Sequence, residues 1–236
     1  MTKKIIFTPM TEMAKHFSIK PIPASKTLPD WYKDAHTFLN GADEYRLDSK
    51  GASNTTFKAC TPFLDAMMSG YSVVLASDLF IFNENGKLNI RWRTTNDVVE
   101  GHVYEITAGI PRMHNENKEI IKWIFDWHIK TPNGYSCFYT HPHNRPELPF
   151  RTFSGVVDTD MYPDSVHFPF QLMEFKNDFF ILKGTPICQI FPFKRENWIS
   201  EERDVVPYMK EKAIYEILSK VKRSYKNQFW QRKSYK

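Results

Sequence analysis

The sequence predicts a mainly β fold: a β-rich core, an extended N-terminal arm and a C-terminal amphipathic helix. Three observations lead there. Short runs rich in aromatic and β-branched residues recur from Tyr71 to Pro192, bounded by Pro, Gly or Asn. Asn85-Gly86 separates two of these runs, and both residue types accept positive φ, which signals a hairpin. The clearest helical period comes late, with Ile214, Ile217, Leu218, Val221 and Tyr225 on one face of residues 210–226.

Met1-Thr-Lys-Lys-Ile-Ile-Phe is too short in apolar residues for a signal peptide and reads as a first strand. Residues 18–34 contain Pro21, Pro23 and Pro29, and proline favours extended geometry at the residue before it. This predicts an extended arm anchored by Trp31 and Tyr32. The polar stretch to Thr56, with Gly41 and Gly51, reads as loop. Thr61–Gly70 predicts a short helix, with Pro62 in its first turn and Gly70 as its stop. Tyr71–Trp92 reads as strand, strand, turn, strand. Further strands are expected at Ile120–His128, Tyr135–Tyr139, Val166–Met173, Phe179–Leu182 and Ile187–Pro192. The resulting division is residues 1–56 as strand and arm, 57–198 as β-rich core and 199–236 as helix and basic tail, in one globular domain.

The chain has 236 residues, 42% of them hydrophobic and 15% aromatic, enough to bury a substantial core. No apolar run approaches membrane length. Cys60, Cys137 and Cys188 form no C-x-x-C pair and no disulfide framework, and read as small buried residues in a reducing compartment. The net charge of +5 is uneven: residues 220–236 carry seven cations and no acid, leaving the rest at −2.

Chemistry concentrates between Ser154 and Phe193. Asp158 and Asp160 follow a short apolar strand signal, where a carboxylate can be held in the fixed direction that general-base work needs. The competing reading is a hairpin turn in which each Asp bonds nearby backbone. His141-Pro-His143 could share a metal if the stretch were a strand, but Pro142 interrupts it and spacing fixes no third ligand. A loop with surface histidines is the preferred reading, and no metal is expected. In the tail, Lys226, Trp230, Arg232 and Lys233 interleave rings with cations. That pattern suits nucleic acid or an acidic protein surface. For residues 210–226, an apolar stripe packed on the domain is preferred.

Three segments resemble the dUTPase and dCTP deaminase superfamily, in order and with similar spacing. Gly134-Tyr-Ser-Cys-Phe138 resembles its G-R-S-x-L segment. Gly155-Val-Val-Asp-Thr-Asp160 resembles G-V-I-D-S-D, and Gly184-Thr-Pro-Ile-Cys-Gln-Ile190 resembles G-D-R-I-A-Q-L. The resemblance implies a dUTPase-like β-clip core, a trimer, Asp158 as base with Asp160 beside it, Ser136 as phosphate contact, and Tyr162 and Gln189 as ligand-side residues. The departures are specific. Tyr135 stands where the family has its phosphate-binding arginine, Met161 precedes the displaced Tyr162, Pro163 and Asp164 replace a glycine, and a helix and basic tail replace the Gly-rich arm.

The strings P-A-S-K-x-L-P-D-W-Y-K, P-F-L-D-A-M-x-S-G-Y, G-Y-S-C, G-V-V-D-T-D and K-G-T-P-I-C-Q-I-F-P-F-K-R-E resemble an uncharacterised family of tailed phages of marine bacteria and cyanobacteria. The expectation is a phage-encoded, non-enzymatic binding or virion/host-interaction protein, located in the host cytoplasm or the virion. The alternative is a nucleoside triphosphate pyrophosphohydrolase using Asp158. No cofactor is expected, with Mg²⁺ required only by that alternative.

Overall fold

The computed structural model describes residues 3–50, 52–101, 109–110, 120–219 and 225–236. Gly51, His102, His114, Lys220, Val221, Lys222 and Arg223 lie outside the described residues. The chain forms two compact units. One comprises Met1–Thr27, Gly70–Arg195 and Tyr235–Lys236, and the other Leu28–Ser69 and Glu196–Ser234.

The first unit is mainly β, and the described strands form four antiparallel sheets. The largest runs β11 (Gly155–Val157), β9 (Tyr135–Thr140), β14 (Pro186–Lys194), β3 (Tyr71–Val74), β2 (Ile22–Pro23). The four-stranded sheet runs β10 (Phe150–Thr152), β12 (Phe168–Leu172), β7 (Ile121–Trp123), β6 (Val99–Gly101). A three-stranded sheet joins β13 (Phe179–Ile181), β4 (Leu79–Glu84) and β5 (Lys87–Trp92). β1 (Ile6–Pro9) pairs with β8 (Trp127–Lys130).

The expected strands are present with shifted ends. The run at Ile120–His128 is two strands with different partners: β7 pairs with β6 and β12, and β8 pairs with β1, while Ile124 N donates to Val98 O at 3.0 Å one step beyond the Trp123↔Val99 pair. At the hairpin, Asn85 (φ 53°) and Gly86 (φ 76°) both take positive φ and join Glu84 to its partner Lys87. Such a turn matches the twist of the flanking strands. A six-residue helix, α1 (Glu12–Phe17), follows β1; Thr11 Oγ1 accepts the Ala14 N–H at 2.9 Å and caps it.

The core of this unit is aromatic. Trp123 is fully buried, stacks on Phe170 at 3.6 Å, and receives the edge of Phe150 at 5.0 Å. Each such ring contributes about 1.5–3 kcal/mol through burial. Its polar atom is also satisfied. Trp123 Nε1 donates to Thr152 Oγ1 (3.1 Å), which donates to Ile187 O on β14 (2.6 Å). One hydroxyl thereby ties the four-stranded sheet to the five-stranded one.

The second unit is helical and irregular. It contains α2 (Asp30–Asp34), α3 (Thr61–Met68) and α4 (Val205–Ser219). The short helix with proline in its first turn is present as α3, beside an exposed Cys60, whereas Cys137 and Cys188 are buried as expected. The arm is extended only in part. A 3-10 turn (Ala24–Thr27) and α2 break it, and Tyr32 is buried against Phe63 and Phe57. The C-terminal helix begins at Val205, five residues before the periodic run. Ile214 on it is 60% exposed, so that residue does not pack as the stripe reading expected.

Gly70 (φ +75°) is held against β14, where an added Cβ would lie 2.1 Å from Ile190 O. Gly184 (φ +85°) has open space around it. Gly70→Ala is therefore expected to cost about 2–4 kcal/mol, from strain plus backbone displacement, and Gly184→Ala only about 1 kcal/mol. Chemical denaturation of the two variants tests this ranking, and equal losses would contradict it.

Candidate functional site

Three of the predicted residues meet at one end of the five-stranded sheet. Ser136 is the second residue of β9 and fully buried. Asp158 follows β11, and β11 pairs with β9 through Val157↔Cys137, so the turn after β11 lies beside Ser136. Ser136 Oγ donates to Asp158 Oδ1 at 2.6 Å. The segment is a turn as well: Asp158 O accepts the N–H groups of Met161 and Tyr162, each at 2.9 Å. The backbone turns, while the Asp158 side chain accepts from Ser136 on β9 and the Asp160 carboxylate takes its own N–H and that of Gly134.

Arg195, which sequence reasoning missed, organises the cluster. β14 pairs with β9 up to Lys194↔Tyr135, and Arg195 N then donates to Gly134 O at 2.8 Å, extending the ladder by one residue. The guanidinium reaches back across the strand end. Nη1 donates to Ser136 Oγ (2.9 Å), Asp158 Oδ1 (3.2 Å) and Asp160 Oδ1 (2.8 Å), and Nη2 to Asp160 Oδ2 (2.5 Å). A guanidinium therefore stands beside Ser136 although Tyr135 occupies the arginine place of the resembled segment. The signal lay in K-R-E at the end of the β14 run, and it becomes legible only once the β9–β14 register is known.

The two carboxylates differ. Asp160 is 3% exposed, takes both guanidinium nitrogens, and accepts the Gly134 N–H at 2.7 Å. The Arg195 hydrogen bonds outweigh burial and pull its carboxyl from an ordinary 3.8 to about 2, with Gly134 adding to the pull. The same pairing pushes the Arg195 guanidinium further up. Asp158 has a side chain 62% exposed and shares only the longer contact. Lys130 Nζ donates to Asp160 O at 2.6 Å.

The remaining candidates lie elsewhere. Gln189 is buried on β14 opposite Thr140, four residues along β9 from Ser136, and its Oε1 accepts the His143 N–H at 2.9 Å. Tyr162 is 43% exposed, and its carbonyl meets His128 Nε2 at 3.0 Å. His141 is largely withdrawn from water, and burial, reinforced by Arg151, lowers it to about 4; its Nδ1 accepts the Thr152 N–H at 3.3 Å. Among the described residues no group of three or more His, Cys, Asp or Glu could hold a metal, and no helix is long and apolar enough to cross a membrane. In the tail, Trp230 Nε1 and Lys233 Nζ both donate to Asp65 Oδ2, at 2.7 and 2.6 Å, while Lys226 and Arg232 are exposed. Tyr235 packs edge-on against Tyr71.

With the geometry in place, comparison with known proteins adds no relative. No family model matches the chain, and no curated protein matches it.

The Asp160 pair carries a pH signature. Its folded-state carboxyl lies below the unfolded value, so its contribution is complete above about pH 4 and is lost as pH falls towards 2. In Arg195→Gln the Asp160 carboxyl should titrate at 3.8 or above, and acid unfolding should begin at higher pH. Carboxyl-carbon NMR titration reads this directly; an Asp160 still near 2 would refute the clamp.

Proposed function

We propose that this chain is a non-enzymatic binding protein of a tailed phage, on a scaffold resembling the dUTPase-like β-clip. The scaffold reading is supported by where the three resembling segments sit: Gly155–Asp160, Gly134–Phe138 and Gly184–Ile190 belong to β11, β9 and β14, which are consecutive neighbours in one sheet. One observation carries the non-enzymatic reading. Both terminal nitrogens of Arg195 are engaged by carboxylates of its own chain. A guanidinium neutralised in this way offers little to a triphosphate, whose transfer chemistry depends on preorganised positive charge.

A binding role also accords with the surface of the second unit. Trp198 is 88% exposed and Ile199 95%, beside Glu201, Glu202 and Asp204. Large exposed apolar side chains with a polar rim mark docking sites. Assembly into the virion or capture of a host protein would use such a surface.

The hydrolase reading keeps one point in its favour: Asp158 is exposed to solvent yet fixed in direction by Ser136, as a base for water would be. A panel of nucleoside triphosphates with Mg²⁺, scored for pyrophosphate release, separates the two readings. No turnover is expected. Turnover that Asp158→Asn abolishes would replace binding with pyrophosphohydrolysis. For the virion role, the protein should appear by mass spectrometry in purified particles.

A further inference from the structure

The outer face of the three-stranded sheet carries a row of stacked rings that runs up to an open edge. β13, β4 and β5 lie in that order, so β13 is the edge strand. One face of this sheet is core: Leu79, Ile81 and Ile181 are each at most 2% exposed. On the other face Phe180, Phe80 and Arg91 stand directly opposite one another across the three strands. Phe80 stacks on Phe82 at 5.0 Å and on Phe180 at 4.8 Å, and Arg91 covers Phe82, its Cζ 4.7 Å from the ring centre. The row is therefore capped by a guanidinium at the Phe82 end and open at the Phe180 end. Phe180 is 58% exposed and Leu182, two residues on, 61%.

The register also fixes where the backbone groups of β13 point. Glu84 and Lys87 close the two-residue loop at Asn85-Gly86 as a hydrogen-bonded pair. Bonded and non-bonded pairs alternate along an antiparallel ladder. Phe82 and Phe80 therefore turn their N–H and C=O groups to β5, while Leu79 and Ile81 turn theirs to Ile181 and Phe179 on β13. Asn83 follows the same alternation: its N–H donates to Asp178 Oδ1, just before β13, at 3.3 Å. Phe180 is then a non-bonded partner of Phe80, the arrangement that brings side chains closest, and its own N–H and C=O point away from β4. Among the described residues no turn or loop bond takes them. An unpaired N–H and C=O beside an exposed ring is a template for another strand.

We propose that β13 pairs edge to edge with β13 of a second copy of this chain, antiparallel about a two-fold axis at Phe180. Phe180 is the middle residue of the strand, so the pairing is self-complementary. Each Phe180 N–H donates to the Phe180 C=O of the other copy, and the two three-stranded sheets become a single six-stranded one. The Phe180 rings meet across the axis and join the two rows, with an Arg91 cap at each outer end. Charge permits the approach, because Glu174, Asp178, Lys176 and Lys183 flank the strand and sum to zero. A single-stranded nucleic acid fits less well. Arg91 already lies on Phe82 and Lys87 stands opposite Glu84, which leaves the face little positive charge for phosphate. The interface does not involve the Asp158 turn and stands whatever that turn does.

A contact this small makes a weak, reversible dimer, with a Kd of about 10–100 µM. Sedimentation equilibrium on the full chain from roughly 1 µM to 0.5 mM reads the assembly, and backbone hydrogen exchange at both ends of that range reads the edge itself. Mass should grow with concentration and stop at the dimer, while the Phe180 amide becomes protected as the dimer forms. Phe180→Lys sets like charges opposite each other at the axis and should weaken the dimer about tenfold or more. Trp198→Ala, on the exposed patch of the second unit, should leave it unchanged. The exchange readout needs no substitution, so it decides the matter even where Phe180→Lys misfolds. A chain that stays monomeric throughout would leave the edge to another partner and overturn the proposal, as would a trimer. A dimer that Trp198→Ala abolishes, that Phe180→Lys leaves intact, or whose Phe180 amide stays unprotected would place the contact elsewhere and do the same.

Discussion

Strand β14 pairs with β3 over its first part and with β9 over its second, and the architecture of the first unit follows from that constraint. The two ladders overlap at Gln189, which faces Thr140 on β9 and Ser72 on β3, and at Ile190, which faces Tyr139 and Tyr71. A strand held between two neighbours cannot slip without breaking both ladders, and a one-residue slip would turn every buried side chain to the wrong face. Its first five residues are all buried, as expected for a strand covered on both faces. The irregularity between Pro186 and Cys188 is compensated locally by a mutual pair of bonds, Leu75 N to Thr185 O and Gly184 N to Leu75 O. Other parts are then positioned against this strand: Gly70 against Ile190 O, the Thr152 hydroxyl on Ile187 O, and the His143 N–H on Gln189.

The same constraint places Arg195. One residue beyond the last β9–β14 pair, its backbone is fixed by Gly134 O and its side chain has a short path to Ser136 and the turn after β11. A two-nitrogen grip on a buried carboxylate is the strong form of this interaction, since geometry and charge act together. Asp160 therefore belongs to the architecture: it joins the end of β14, the turn before β9 and the turn after β11. Asp158 receives only one longer contact and keeps its solvent face. Two aspartates two residues apart thus have different roles, set by which one the guanidinium reaches in full.

Much of this fold was legible in the sequence. The Asn85-Gly86 hairpin, the Pro62 helix start and the aromatic strand runs each follow from local chemistry, and local chemistry survived folding. What stayed hidden was non-local. Splitting Ile120–His128 into two strands depends on distant partners, β6 and β12 for β7 and β1 for β8. Tyr135, standing where the resembled segment has arginine, read as a site without a cation, because a guanidinium supplied from sixty positions later becomes visible only with the β9–β14 register. The exposure of Ile214 could not be read from helical periodicity, which shows that one face is apolar but not what covers it.

The two acidic clusters show how environment decides what an aspartate can do. Asp160 and Asp126 are both withdrawn from water, yet their carboxyls move in opposite directions. Around Asp160, β14 delivers a guanidinium and Gly134 an N–H, so the cost of burying the charge is met within the chain. Around Asp126, burial is reinforced by a second carboxylate and opposed by His167, a histidine that its own burial holds towards the neutral form. A satisfied buried charge resists change, because anything that competes for its partner must first break a bidentate pair. On this reasoning the Arg195–Asp160 pair holds the turn at Asp158 rigid and largely self-neutralised.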